Sequence, residues 1–182
     1  MTWPETSHRH LAHAAFDKDH IHWSVRPHDM RKALTTPHTR RIALSNRRVE
    51  ALQALADGKT RAEIAHGLGI QPNSLAVYLS KARAKLGIPV CADTMLVAVA
   101  CMSDAIWPPP PPAEPIRVPG NLRYLSAPVS EGMQIQEIAN TRHLPYHHVI
   151  ADCKELRRLM GARTSPHLVA RLWQCRLAPT PP

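Results

Sequence analysis

The stretch Thr60–Ile88, TRAEIAHGLGIQPNSLAVYLSKARAKLGI, constrains this chain more than any other. Thr60 followed three residues later by Glu63 has the spacing of a helix-opening capping box. Ile64, Ala65 and Leu68 then recur at helical spacing. Gly67 and Gly69 supply a tight turn in which one residue needs positive φ. Pro72 suits the first turn of a second helix, where no amide donor is required. Leu75, Leu79, Ala82 and Leu86 fall on one face of that helix, and Gly87 stops it. Two helices joined by a short glycine turn predict a helix-turn-helix.

The neighbouring residues extend the pattern into a family resemblance. Leu44, Ser45 and Arg47 open a first helix; Leu55, Gly58, Glu63, Ile64 and Ala65 follow; the turn reads Leu68-Gly69-Ile70; Ser74 and Leu75 open the next helix, and Lys85-Leu86-Gly87-Ile88 closes it. In this order and spacing the stretch resembles the LuxR-type helix-turn-helix of bacterial transcription regulators. It departs from the family's usual residues at Arg48, Tyr78 and Ala82, and carries about two extra residues before Met95. The resemblance covers roughly a third of the chain. It implies an all-α fold, double-stranded DNA as partner and no catalytic role, with the fourth helix often serving as a dimer surface.

Around this region the expected elements are a first helix from Ser45 to about Asp57, burying Val49, Leu52 and Leu55 or Ala56, and a fourth from Ala92 to Ser103. Trp107 is followed by prolines at 108–112, with Pro115 and Pro119 beyond, so residues 107–116 are expected to form a stiff polyproline linker. Past it the pattern repeats. A shift of 74 places Gly58, Glu63, Ile64 and Ala65 on Gly132, Glu137, Ile138 and Ala139. Leu75, Leu79, Ala82 and Leu86 land on Val149, Cys153, Leu156 and Met160, and Gly87 lands on Gly161. Leu168, Val169 and Ala170 match the fourth helix without the extra residues. His143 stands where Gly69 would, and Pro128 shortens the first helix of the repeat. The expected organisation is a His-rich arm at 1–42, a LuxR-like domain at 43–106, the linker at 107–116, a diverged helix-turn-helix domain at 117–177 and a tail at 178–182.

With the leucine stripe buried, the opposite face of the second helix carries Asn73, Val77, Ser80, Lys81 and Ala84. In a major groove Lys81 would reach guanine or phosphate, Asn73 adenine, and Val77 a thymine methyl. Ser74 opens this helix, while Arg47, Arg48, Arg83 and Lys85 flank it as phosphate contacts. The repeat presents His147, Ala151, Lys154, Glu155 and Arg158 on the corresponding face. Glu155 replaces Lys81; a carboxylate is repelled by phosphate and its favourable role is to accept from cytosine.

Composition agrees with an anionic partner: the formal charge is +9 with 44% hydrophobic and 4% aromatic residues, and a pI near 10.0. No long apolar run or leader is present, so no membrane association is expected. Cys91, Cys101, Cys153 and Cys175 form no C-x-x-C pair and read as reduced thiols of a cytoplasmic protein. His8, Asp17, His20 and His22 of the arm offer metal-ligand chemistry but no repeating ligand spacing, so no metal and no cofactor is expected. Cys153 beside His147 or His148 has the residue types of a nucleophile pair, but it falls on the buried stripe, and core packing accounts for it better. The leading reading is a sequence-specific transcription regulator with tandem units acting as an intramolecular pseudo-dimer, or as a homodimer through residues 92–104. The alternative is an interaction protein whose diverged unit binds a protein such as RNA polymerase.

Overall fold

The computed structural model of the protein describes residues 44–108, 114 and 116–175. The His-rich arm with its expected short helix, most of the proline run and the tail lie outside the described residues. Within them all regular structure is helical: α1 (Asn46–Ala56), α2 (Arg61–Gly67), α3 (Pro72–Lys85), α4 (Asp93–Met102), a 3-10 helix (Gly120–Leu125), α5 (Ser126–Ser130), α6 (Ile135–Arg142), α7 (Tyr146–Leu159) and α8 (Ser165–Gln174).

Local chemistry sets these boundaries. Ser45 occupies the N-cap of α1 but its side chain makes no capping bond. Thr60 and Glu63 form the expected capping box: the Glu63 amide donates to Thr60 Oγ1 at 3.3 Å and the Thr60 amide to Glu63 Oε2 at 2.6 Å. Both bonds satisfy amides that a helix start leaves orphaned. Pro72 is the first residue of α3, where its missing N–H costs nothing. The α3 stripe is buried as expected, Leu75, Leu79 and Ala82 at 1% exposure and Leu86 at 6%.

The second half repeats these features at the same shift. α7 spans the residues of α3 moved by 74, and the Gln134 amide donates to Glu137 Oε2 at 2.8 Å where Thr60 bonded Glu63. Three helix ends with positive φ recur in the two halves: Gly58 (83°), Gly69 (63°) and Gly87 (75°), against Gly132 (80°), His143 (54°) and Gly161 (61°); Asp104 (52°), after α4, is a fourth in the first half. The bonds that close these ends also recur; Ile70 N–H reaches Ala65 O at 2.9 Å, and Leu144 N–H reaches Ala139 O at 3.0 Å. α4 and α8 are offset by 72, which places the two extra residues of the first half before α4. The first helix is where the halves part: α1 is a regular helix of 11 residues, whereas its counterpart is the 3-10 helix followed by the five-residue α5. Pro128 lies in the first turns of α5, where proline is tolerated but cannot extend a longer helix through itself.

α4 is apolar nearly all round; Leu96 through Cys101 are all buried, and such a helix belongs inside a core. It packs on α8, whose Leu168, Val169, Ala170 and Leu172 are buried in turn, and α8 also packs on α1. The described helices fall within one compact unit. The boundary expected at 107–116 therefore does not divide two separate cores: the apolar fourth helices of both halves need cover, and each covers the other. The contact is reciprocal. A Cβ on Gly58 would stand 2.3 Å from His167 Nδ1 of α8, and one on Gly132 would stand 2.5 Å from Met95 Cα of α4. Arg163 adds an ion pair to Glu63 at 2.9 Å, and Gln134 Nε2 donates to Thr94 Oγ1 at 3.3 Å.

Candidate nucleic-acid interface

Anchoring of α3 by its leucine stripe turns Asn73, Val77, Ser80 and Lys81 outward together, with Ala84 continuing the stripe; all five are exposed, and Ser74 is half-buried at its edge. Val77 is 48% exposed in the middle of this polar stripe. One exposed valine is ordinary on a protein surface, but between Asn73 and Lys81 it completes a set able to read base edges: an amide, an apolar contact and a cation.

The flanking cations divide into two groups. Arg47 is exposed, 3.6 Å from Glu50 with both side chains more than half exposed, so this solvated pair leaves the guanidinium free to exchange partners. Lys85 is exposed at the end of α3, while Arg48 is half-buried in the first turn of α1. Arg83 is not brought to the groove-facing stripe. Its side chain is only 13% exposed and pairs with Asp93 at the start of α4. Arg61 reaches the same carboxylate, with Nε and one terminal nitrogen each 3.0 Å from an Asp93 oxygen. Asp93 thus ties α2, α3 and α4 together, and Arg83 serves this tie; its Nε is buried with no hydrogen-bond partner among the described residues. Sequence spacing could not reveal this, because Arg61 and Asp93 are 32 residues apart.

On α7, His147, Ala151, Lys154, Glu155 and Arg158 are exposed. The ring centroids of His147 and His148 lie 4.3 Å apart, edge to face. Glu155 is not an isolated negative charge: Arg158 donates to both its oxygens, at 2.9 and 2.7 Å. That pairing holds the Glu155 carboxyl below its ordinary range and pushes the Arg158 guanidinium higher. Tyr146, the first residue of α7, is 47% exposed. Cys153 is half-buried, and burial pushes its thiol up to about 11, which leaves it almost wholly protonated at neutral pH. Among the described residues no group of three or more His, Cys, Asp or Glu could hold a metal ion, and no helix is long and apolar enough to cross a membrane.

With this geometry in place, the comparison with known families is direct. Residues 43–98 match the family described as bacterial regulatory proteins, luxR family. The match identifies this region, α1 to the middle of α4, as a luxR-family helix-turn-helix, a DNA-binding regulatory domain. No curated protein and no solved structure matches the chain.

Proposed function

We propose that the protein is a sequence-specific, double-stranded-DNA-binding transcription regulator in which two helix-turn-helix units, residues 43–106 and 117–177, form a pseudo-dimer within one chain. The reading rests first on the luxR-family match over 43–98. What carries the tandem step is the recurrence, at a shift of 74, of three positive-φ helix ends, those after the first three helices of each half. A two-fold dimer is self-complementary, each subunit giving the same patch; Gly58 against α8 and Gly132 against α4 is that relation inside one chain. The apolar residues of α4 are already buried, so a homodimer through residues 92–104 would have to displace α8. Arg47, Arg48, Asn73, Ser74, Val77, Ser80, Lys81 and Lys85 form the proposed DNA surface of the first unit, and His147, Lys154, Glu155 and Arg158 that of the second, while Arg83 acts by positioning. The 107–116 stretch connects the units, and a cytoplasmic location goes with the role.

Analytical ultracentrifugation of the full chain on a selected duplex tests the stoichiometry. One chain per site is expected; two chains per site would reject the pseudo-dimer. A surface contacting roughly four to eight phosphates gives a log–log salt slope of about −4 to −7, and a flat response would reject DNA binding through this face. One observation favours a second reading, in which α7 meets a protein such as RNA polymerase: the Glu155–Arg158 pair neutralises the centre of its exposed face. Substitutions on α7 that leave duplex affinity and sequence preference unchanged would favour it.

A further inference from the structure

The tie made by Asp93 in the first half has no counterpart in the second, and a cleft lies there instead. Arg157 is the twelfth residue of α7 as Arg83 is of α3, Ile135 is the first of α6 as Arg61 is of α2, and Ser165 is the first of α8 as Asp93 is of α4. The second half therefore keeps one arginine of the cluster and loses both the carboxylate and the other arginine. Arg157 is half-buried and makes no ion pair among the described residues. A cleft of about 210 Å³ opens at this place, with Arg157, Ser165, Ile135, Ile138, Ile150 and Leu168 among its lining residues.

We propose that this cleft binds a small amphiphilic carboxylate, whose charged end takes the place that the Asp93 side chain holds in the first half and whose apolar body lies against the isoleucines. Three observations converge on that chemistry. The Arg157 guanidinium is a fork suited to a carboxylate, as its counterpart Arg83 is paired with Asp93. The start of α8 adds the positive end of a ten-residue helix. The volume admits a single-ring or short-chain body, since an apolar cavity of roughly 150 Å³ is known to take benzene. Thr94 of α4 also lines the cleft, so an occupant touches both halves. Lys154, which belongs to the proposed DNA surface of α7, lines the cleft as well, so the binding test is made without duplex.

The test uses the full chain and follows amide shifts on titration with sodium benzoate, sodium hexanoate and, as a neutral shape control, benzyl alcohol, at constant ionic strength. Benzoate or hexanoate should saturate with a Kd of about 1 mM, with shifts centred on the cleft residues. Benzyl alcohol should bind at least about tenfold more weakly. Arg157→Gln should lose binding by about tenfold or more, and Ser165→Asp, which restores the built-in carboxylate and leaves the arginine in place, should lose it equally. Ser165→Asp puts an acid in a helix first turn and is expected to keep the fold. Absence of saturation by about 20 mM with both carboxylates, equal binding of benzyl alcohol, or unchanged binding by Ser165→Asp would each overturn the proposal.

Discussion

The two halves are held in matching backbone by different side chains. In the first, the turn between α2 and α3 has Gly69, and a carboxylate with two arginines ties α2, α3 and α4. In the second, the equivalent turn has His143 in the same left-handed region, and Tyr124 Oη donates to Asp152 at 2.6 Å to tie α7 back to the 3-10 helix. The lesson is that the backbone hydrogen bonds closing each helix are the durable part of the pattern, while the side-chain ties between helices are exchangeable. The two halves also differ where each glycine turn touches the other, and that difference gives the largest expected effect. An Ala side chain at Gly132 would meet the Met95 backbone, which cannot move without shifting α4; at Gly58 it would meet the His167 side chain, which can turn aside by giving up its Nδ1 bond from the Arg163 amide. Gly132→Ala is expected to cost about 3–5 kcal/mol, from positive-φ strain plus overpacking, and Gly58→Ala about 1–3 kcal/mol. Urea unfolding of both variants checks the order. Equal costs would mean that the two turns are not gripped differently.

The next contrast is between Lys81 and Glu155, which share a position on the two exposed faces. Lys81→Glu removes a cation and adds a repulsion against phosphate, so duplex affinity should fall by roughly a hundredfold, about 3 kcal/mol. Glu155→Lys frees Arg158 and adds a cation, so non-specific affinity should rise and the salt slope should steepen by about one to two units. If Glu155 reads a cytosine, the same change should lose about 1–3 kcal/mol of discrimination at one base pair. Fluorescence anisotropy on selected and scrambled duplexes measures all of these. Normal binding by Lys81→Glu, with total loss in Glu155→Lys, would invert the proposed ranking of the units.

A smaller effect concerns acid. The amide of Thr60, then Arg163 from the other half, hold the Glu63 carboxyl down from 4.5 to about 2. A carboxyl with a depressed folded pKa contributes stability that is complete above its unfolded value and is lost as pH falls through the folded one. Here the contribution should be whole above about pH 4.5 and disappear toward about pH 2. Burial, with Arg171 nearby, lowers the His167 pKa below its ordinary 6.5, and its Nδ1 accepts from the Arg163 amide at 3.1 Å. The unfolded chain then binds that proton more readily, so stability also declines as pH drops below 6.5. Both groups sit where the halves meet. Glu63→Gln should flatten the urea-midpoint profile between about pH 4.5 and about pH 2; a profile as steep as the parent's would show that the Glu63 carboxylate does not carry this acid dependence.

What the sequence made legible follows from range. The capping box at Thr60, Pro72 at the start of α3, the buried stripe Leu75–Leu79–Ala82 and the glycine turns are set by residues within a few positions of each other, and each could be read directly. The stripe of Asn73, Val77 and Lys81 followed from helical periodicity alone. Features set over long separations were not legible: the Arg61–Asp93–Arg83 tie, the 100-residue reach from Arg163 to Glu63, and the mutual burial of α4 and α8. The proline run suggested two standing bodies because composition reports the stiffness of a connection and not what its ends pack against. α4 carried the missing clue: a helix apolar on every side needs more cover than three neighbours of a small unit provide.

The smallest expected effect returns to the turn where the halves differ by one residue. His143 has φ 54° and ψ 38°, and Gly69 has φ 63°. The turn bonds are the same: Gly69 N–H to His66 O at 3.0 Å, and His143 N–H to Asn140 O at 3.3 Å. A residue with a Cβ loses about 1–2 kcal/mol in the left-handed region, histidine being among the better tolerated. Replacing it with glycine relieves that strain but loosens the unfolded chain, at a cost of about 0.4–1 kcal/mol. His143→Gly should therefore gain about 0.5–1 kcal/mol, and Gly69→His should lose a similar amount. For a body of this size that is a rise in Tm of about 2–4 °C in the first case and an equal fall in the second. Calorimetry on the two single variants and on the exchanged pair checks the argument, since sites without shared partners should add. A fall in Tm for His143→Gly would show that the imidazole makes a contact worth more than the strain it carries.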